Sequence, residues 1–290
     1  MARLTRRTFV SAVVSLAAAG QVRAMGREPR VATLDWALLE TLLAIGANVV
    51  AATELRQFME VVVKPDLPSG VVDIGLRGTP NFEALQFAQP DLIFNSNFYA
   101  WADPFIGRIA PVESHSIYVT GKSPYALAEQ ATLAIGERLA IPAAQDLVTD
   151  LAVRLDHLKQ AFTAGESRPV LPINLGDARH YRVFGSDSMF GEVLTRLGLS
   201  NAWQGATNYS ATAPLGIETL ASMPDAWLVL IPPHPQDVFE ALTKSAFWKA
   251  LPAVRESRVL TVGSINPYGA LPAARRFAEF LAKGLSGARG

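Results

Sequence analysis

The chain has 290 residues, half of them hydrophobic and 18% charged, enough to bury one large core or two modest ones and too apolar to be disordered. The absence of cysteine excludes disulfides, thiolate metal sites, cysteine nucleophiles and the lipidated cysteine that tethers some exported proteins to a membrane. Basic and acidic residues balance at 26 each, with no basic run, which argues against nucleic acid or an anionic membrane surface as a partner.

Residues 1–24, "MARLTRRTFVSAVVSLAAAGQVRA", form an export signal: Arg3, Arg6 and Arg7, then an apolar run from Phe9 to Ala19, then a small-residue cleavage site at Val22-Arg23-Ala24. The run is too short to span a bilayer as a helix, which takes about 20 residues. Thr5-Arg6-Arg7-Thr8-Phe9-Val10 resembles the twin-arginine address read by the export route for folded proteins. Cleavage removes four arginines and no acid, leaving 22 basic against 26 acidic residues and a net charge of about −4. The expected location is the periplasm of a Gram-negative bacterium, without membrane insertion.

Arg30 to Leu34 reads as a strand, with Asp35 as N-cap of a helix "WALLETLLAIG" whose Leu38, Leu39, Leu42 and Leu43 share a face and which Gly46 stops. "NVVAAT" from Asn48 is the next strand, so the chain opens as an α/β layer. Asn81 caps a short helix through Ala88, Pro90 ends it, and Leu92 to Phe94 form a strand. "PFIGRIA" and "SPYALAEQATLAIGERL" supply further helices, the second capped by Ser123 with Pro124 at its first position. From Pro142 to Phe162, Leu147, Leu151, Leu155, Leu158 and Phe162 recur at spacings of three and four, the pattern of a long amphipathic helix.

Alternation then restarts with "PVLPINL", "YRVF", "SMFGEVLTRLG", an apolar run from Ala226 to Ile231, "QDVFEALT", "RVLTV" and a last helix from Ala270 to Leu285. One cadence occurs twice: "NFEALQFAQPDLIFN" from Asn81 and "GIETLASMPDAWLVL" from Gly216, each a glutamate in a short helix, Pro-Asp, and an apolar strand. The expected organisation is an α/β fold of two lobes, 27–141 and 166–290, joined by a connecting helix at 142–165.

The strings "LDWALLETLLAIG", "VVDIGLRGTPNFEAL", "RHYRVFGSDSMF", "NAWQGATNY" and "PYGA" resemble those of class III periplasmic substrate-binding proteins, in particular the ferric hydroxamate siderophore-binding family, over roughly residues 29 to 285. The resemblance implies two α/β lobes bridged by one long helix that resists hinging, with the ligand in a shallow cleft between them. It implies a monomer that is not an enzyme and has no cofactor of its own, the iron being held through the siderophore. Its partners would be that ferric siderophore and an inner-membrane ABC permease.

A ferric hydroxamate presents oxygens of partial negative charge, so the protein needs fixed donors, and arginine offers five in a planar, permanently charged fork. Arg77 is placed in a loop after a strand and just before a helix N-terminus, where anionic oxygens are welcome. Tyr99 follows the strand "DLIFN", beyond the carboxyl end where open α/β sheets place ligands. In the family the matching arginine and tyrosine hold the iron-hydroxamate centre. Trp36 and Tyr268 keep family aromatics, while Val61, Ser210 and Asn266 stand where the enteric protein has tryptophans. Those replacements predict a wider or more polar cleft, suited to a bulkier or more hydrophilic hydroxamate.

The family likeness also assigns Glu83 and Glu218, one from each copy of the cadence, to docking on permease arginines. Acidic residues in a first helical turn are also stabilised by the helix dipole, by roughly 0.3 to 1 kcal/mol, which is the plainer reason for the repeat. His115, His157, His180 and His234 have no metal-ligand spacing, and "GSDS" around Ser188 lacks the nucleophile-elbow pattern. A corrinoid, haem or catecholate ligand on the same fold, and a periplasmic siderophore hydrolase, are the competing readings.

Overall fold

In the computed structural model, which describes residues 27–163, 168–207 and 214–287, β1 (Val31–Thr33) runs into α1 (Trp36–Ala44). The signal segment, with Arg6 and Arg7, lies outside the described residues, as does Ser210. Asp35 makes the transition: its Oδ1 accepts from the amides of Ala37 at 2.7 Å and Leu38 at 3.2 Å, donors the first helical turn cannot satisfy itself. At the other end Gly46, at φ +78°, lets the Gly46 and Ala47 amides turn back onto the carbonyls of Leu43 and Leu42. The helix is buried on more than its leucine face, since Ala37, Glu40 and Thr41 are also covered.

The first lobe continues with β2 (Val49–Ala52), α2 (Leu55–Val61), β3 (Val72–Asp73), the hairpin of β4 (Gly75–Leu76) and β5 (Thr79–Pro80), and α3 (Phe82–Phe87). It closes with β6 (Leu92–Asn95), a 3-10 helix at Asn97–Ala102, α4 (Asp103–Ile106), β7 (Val112–Ser114) and α5 (Pro124–Leu139). Its main sheet is parallel throughout, in the order β3-β2-β1-β6-β7, and its central strands are short, fully buried apolar runs. The "PFIGRIA" helix is shorter than the sequence pattern suggests, because Gly107 caps it onto the Asp103 carbonyl and the chain turns through Ile109 into β7.

The connecting helix α6 (Ala143–Thr163) packs against α5 and against the last helix, burying Leu151, Leu155, Leu158 and Phe162. The second lobe then runs β8 (Val170–Leu175), β9 (His180–Val183), α7 (Met189–Arg196), β10 (Leu215–Gly216), a 3-10 helix at Ile217–Ser222 and β11 (Trp227–Leu230). It ends with α8 (Gln236–Lys244), α9 (Ala246–Ala250), α10 (Pro252–Arg255), β12 (Val259–Thr261) and α11 (Leu271–Gly287). Its sheet order is β10-β9-β8-β11-β12, with β9 and β10 antiparallel and the rest parallel.

The repeated cadence therefore occupies matching places: β6 and β11 are each the fourth strand of their sheet, between the lobe's opening strand and its last. The preceding helices differ. Asn81 caps α3 by accepting from the Ala84 amide, whereas Ile217–Ser222 follows Gly216, has no side-chain cap and winds as a 3-10 helix. Each sheet buries one face in a core of its own lobe, around Leu34, Ile74 and Ile93 in the first and Leu171, Tyr181 and Leu228 in the second. The other faces meet in a shared apolar cluster that takes in Val31 and Phe94, Val170 and Val229, and Tyr125, Leu155, Phe190 and Phe277 from the helices between. Among the described residues no helix is long and apolar enough to cross a membrane.

Candidate ligand-binding site

The carboxyl ends of the β1 and β6 strands, the β4–β5 turn and the chain entering α11 meet around one open cleft of about 220 Å³. Arg77, Tyr99, Trp36 and Tyr268 all line it, together with Val61 and Asn266. Asp35, Ala37, Gln57, Phe98, Pro233 and Pro267 complete the described wall.

Arg77 stands at the turn of the β4–β5 hairpin, where Leu76 pairs with Thr79. The expected helix N-terminus is not its setting, because α3 starts only at Phe82, beyond β5, with Asn81 accepting from the Ala84 amide of its first turn. Arg77 is instead held by Glu54, whose Oε2 accepts from Arg77 Nε at 2.8 Å and whose Oε1 accepts from the Arg77 amide at 3.0 Å. The guanidinium carbon lies 4.0 Å from the centre of the Trp36 ring, a cation–π stack. Trp36 is itself fixed, with Nε1 donating to the Thr53 carbonyl at 3.0 Å and Phe58 edge-on at 5.7 Å. One of the five guanidinium donors is thus committed to Glu54, and the fork's orientation is set before a ligand arrives.

Glu54 reaches this position from an unusual backbone, φ 51°, just ahead of α2, where its amide donates to the Gly75 carbonyl at 2.9 Å. A left-handed conformation at a residue other than glycine costs of order 1 kcal/mol or more, and here it directs the carboxylate at Arg77. Asp35 forms the floor of the cleft: Ser96 Oγ donates to its Oδ2 at 2.6 Å. Burial pushes the Asp35 carboxyl above its usual range, against the pull of Ser96, the two helix amides and Arg77.

Tyr99 lies in the 3-10 helix after β6, its carbonyl accepting from Asn95 Nδ2 at 3.0 Å. Burial, followed by the Asp35 charge, raises its phenol above the usual value, while the adjacent Arg77 lowers it. It therefore stays protonated and able to donate. Across the cleft, Tyr268 is more than a third exposed, its amide donating to Asn266 Oδ1 at 3.1 Å and its ring edge-on to Tyr118 at 5.6 Å. Asn266 is buried, so the residue in a family tryptophan's place shapes the turn beneath Tyr268 more than the open wall.

Glu83 and Glu218 are both exposed, each in the first turn of its helix, and neither lines the cleft. The Glu218 carboxylate folds back over Gly216. Among the described residues no group of three histidine, aspartate or glutamate side chains is placed to hold a metal ion. Glu54, Phe98 and Gln57 had no signal in the sequence, and Asp35 announced itself only as a helix cap.

The chain belongs to the periplasmic binding protein family, whose pattern matches residues 31–265. Among its relatives, the iron(3+)-hydroxamate-binding protein FhuD of Escherichia coli K12 is 32% identical over 261 residues, covering 89% of this chain and 87% of FhuD. The structure of FhuD from Vibrio cholerae bound to Fe3+–Desferal superposes with a TM-score of 0.85 at 26% identity, covering 90% of this chain and 99% of that one. Unliganded FhuD2 from Staphylococcus aureus shares the fold, with a TM-score of 0.72 at 19% identity over 90% of this chain and 99% of its own.

Proposed function

We propose that this protein captures a ferric hydroxamate siderophore in the cleft and delivers it to an ABC importer in the inner membrane. The observation that carries the reading is the charge balance at the site. Arg77 is the one cation among the described lining residues, and it is flanked by the carboxylates of Glu54 and Asp35 and by the Tyr99 phenol. A ferric trihydroxamate is neutral at its centre, since the hydroxamate charges balance the iron, and needs a few oriented donors. A ferric catecholate is strongly anionic and would call for several cations, whereas the described residues of this wall offer Arg77 alone.

In this reading Arg77 and Tyr99 donate to the hydroxamate oxygens, and Trp36 and Tyr268 pack on the siderophore's carbon frame. The iron keeps its siderophore ligands and touches no protein atom. The protein works as a monomer in the periplasm, reached by the twin-arginine route through Arg6 and Arg7. Glu83 and Glu218 dock the loaded lobes on the permease halves. The relatives are binding proteins, and no activated nucleophile stands in the cleft among the described residues. Titrating the mature protein with Fe3+–Desferal, other ferric hydroxamates and a ferric catecholate, following tryptophan fluorescence, tests the reading. Saturable quenching by hydroxamates alone is expected; binding of the catecholate only would overturn it.

A further inference from the structure

The donors of the first lobe are explained by Glu54 and Asp35, but the wall across from them hangs on a turn, Asn266 to Ala270, whose Tyr268 ring meets Phe184 of its own lobe edge-on at 6.5 Å while its backbone is held from the first lobe. Its support comes from α1. Glu40 is buried where α1 meets α11, and its Oε2 accepts from the Ala270 amide at 3.3 Å. The carboxyl packs so closely that a Cβ on Gly269 would stand 2.7 Å from Oε2 and 2.9 Å from Oε1. Tyr118, also from the first lobe, donates its hydroxyl to the Gly269 carbonyl at 2.7 Å. Two buried polar atoms, Glu40 Oε1 and Asn266 Nδ2, have no hydrogen-bond partner, although the Asn266 amide faces the carboxyl. The other end of that amide takes the Tyr268 backbone N–H.

We propose that Glu40 is a positioning residue for ligand binding: through Ala270 and Asn266 it latches the second lobe's cleft turn to the first lobe and so fixes where Tyr268 stands. The ligand half of this role rests on the function proposed above; the latch itself does not. Glu40 touches no ligand and acts only through the turn.

The latch has two charge states. Burial pushes the Glu40 carboxyl up to about 8, and Asp35 at the start of α1 adds to the rise. Asn266, the Ala270 amide and Arg276 of α11 pull the other way. Tyr118, raised well above its usual value by burial and then by Glu40 and Asp35, remains a hydroxyl donor throughout, and burial likewise keeps the Tyr268 phenol protonated. Below about pH 8 Glu40 is neutral and suits its dry surroundings; once ionised it draws water toward itself and loosens the turn.

Amide hydrogen exchange of residues 266–270, expressed as protection factors from pH 6 to 9.5, tests the latch in the wild-type protein, Glu40→Gln and Glu40→Ala. At pH 7 the wild type and Glu40→Gln protect the turn equally, and Glu40→Ala exchanges there about tenfold faster, the size of one lost buried hydrogen bond. As pH rises through about 8, protection falls in the wild type and not in Glu40→Gln. Protection that is equal and independent of pH in wild type and Glu40→Gln overturns the latch, even if Glu40→Ala does not fold. Affinity for Fe3+–Desferal should follow the same order, and unchanged affinity beside a loosened turn overturns the positioning role. A responsive turn in a protein that binds no ferric hydroxamate would instead refute the ligand reading and leave the latch standing.

Discussion

The two walls of the cleft are built differently. On the first lobe, Arg77, Trp36, Glu54, Asp35 and Tyr99 hold one another through bonds and a ring stack made within that lobe. On the second, Tyr268 and Pro267 ride on a turn whose fixings, Glu40 and Tyr118, come from the opposite lobe. On the proposed function, a wall that is rigid by itself suits recognition of the iron-hydroxamate centre, and a wall on a borrowed support suits the carbon frame of the ligand.

The largest effect should come from neither wall. Replacing Glu83 and Glu218 together with alanine is expected to leave siderophore affinity intact while abolishing uptake and stimulation of transporter ATP hydrolysis. The single mutants would show whether the lobes contribute equally to docking. Wild-type uptake by the double mutant would leave the helix dipole as the reason for the repeated glutamate.

Breaking the first wall comes next. Arg77→Ala should weaken ferric hydroxamate binding by at least tenfold, since a charge-assisted hydrogen bond contributes about 1.5 to 3 kcal/mol. Circular dichroism should show the fold unchanged. Glu54→Gln should cost less, and combining it with Arg77→Ala should add little, because its work is to aim the guanidinium; additive losses in that cycle would refute the aiming role.

The second wall's support should show in stability against pH. The Glu40 carboxyl lies at about 8 in the folded protein against an ordinary 4.5, so its contribution is complete below 4.5 and is lost as pH rises through about 8. Across that window the slope is on the order of 1.4 kcal/mol per pH unit. Urea unfolding at several pH values should show the decline in the wild type and a flatter profile in Glu40→Gln; identical slopes would contradict it. The smallest change should be Tyr268→Phe, which keeps the ring and removes only the hydroxyl, and is expected to shift affinity by less than about 1 kcal/mol in the same fluorescence titration. A loss as large as that of Arg77→Ala would mean that both walls grip the iron centre.

Much of the architecture can be read from neighbouring residues. Asp35 followed by a leucine-rich helix and Gly46, or the leucine spacing of α6, encode elements whose partners lie a turn or two away. The convergence of Arg77, Tyr99, Trp36 and Tyr268 on one cleft was legible through family resemblance, because no spacing rule joins residue 36 to residue 268. Glu54 was invisible for two physical reasons: it meets Arg77 across 23 residues of chain, and it does so from a left-handed backbone that glutamate seldom adopts. The short helix expected in the second copy of the cadence is present but winds as a 3-10 helix over Ile217–Ser222. Gly216 offers no side-chain oxygen to the first turn, so the segment winds more tightly than its counterpart α3.

The apolar cluster that runs between the sheets bears on how the molecule assembles. It joins Val31 near one end of the chain to Phe277 and Leu285 near the other, so its closing contacts span almost the full sequence. Such contacts cost loop-closure entropy before they return any energy, and contacts of high sequence separation are associated with slower folding. Neither half of the chain owns a complete hydrophobic interior, and a nascent first lobe exposes its share of the cluster until α11 arrives. Each lobe keeps a core of its own, so the shared cluster is the part of the interior that neither lobe completes without the other.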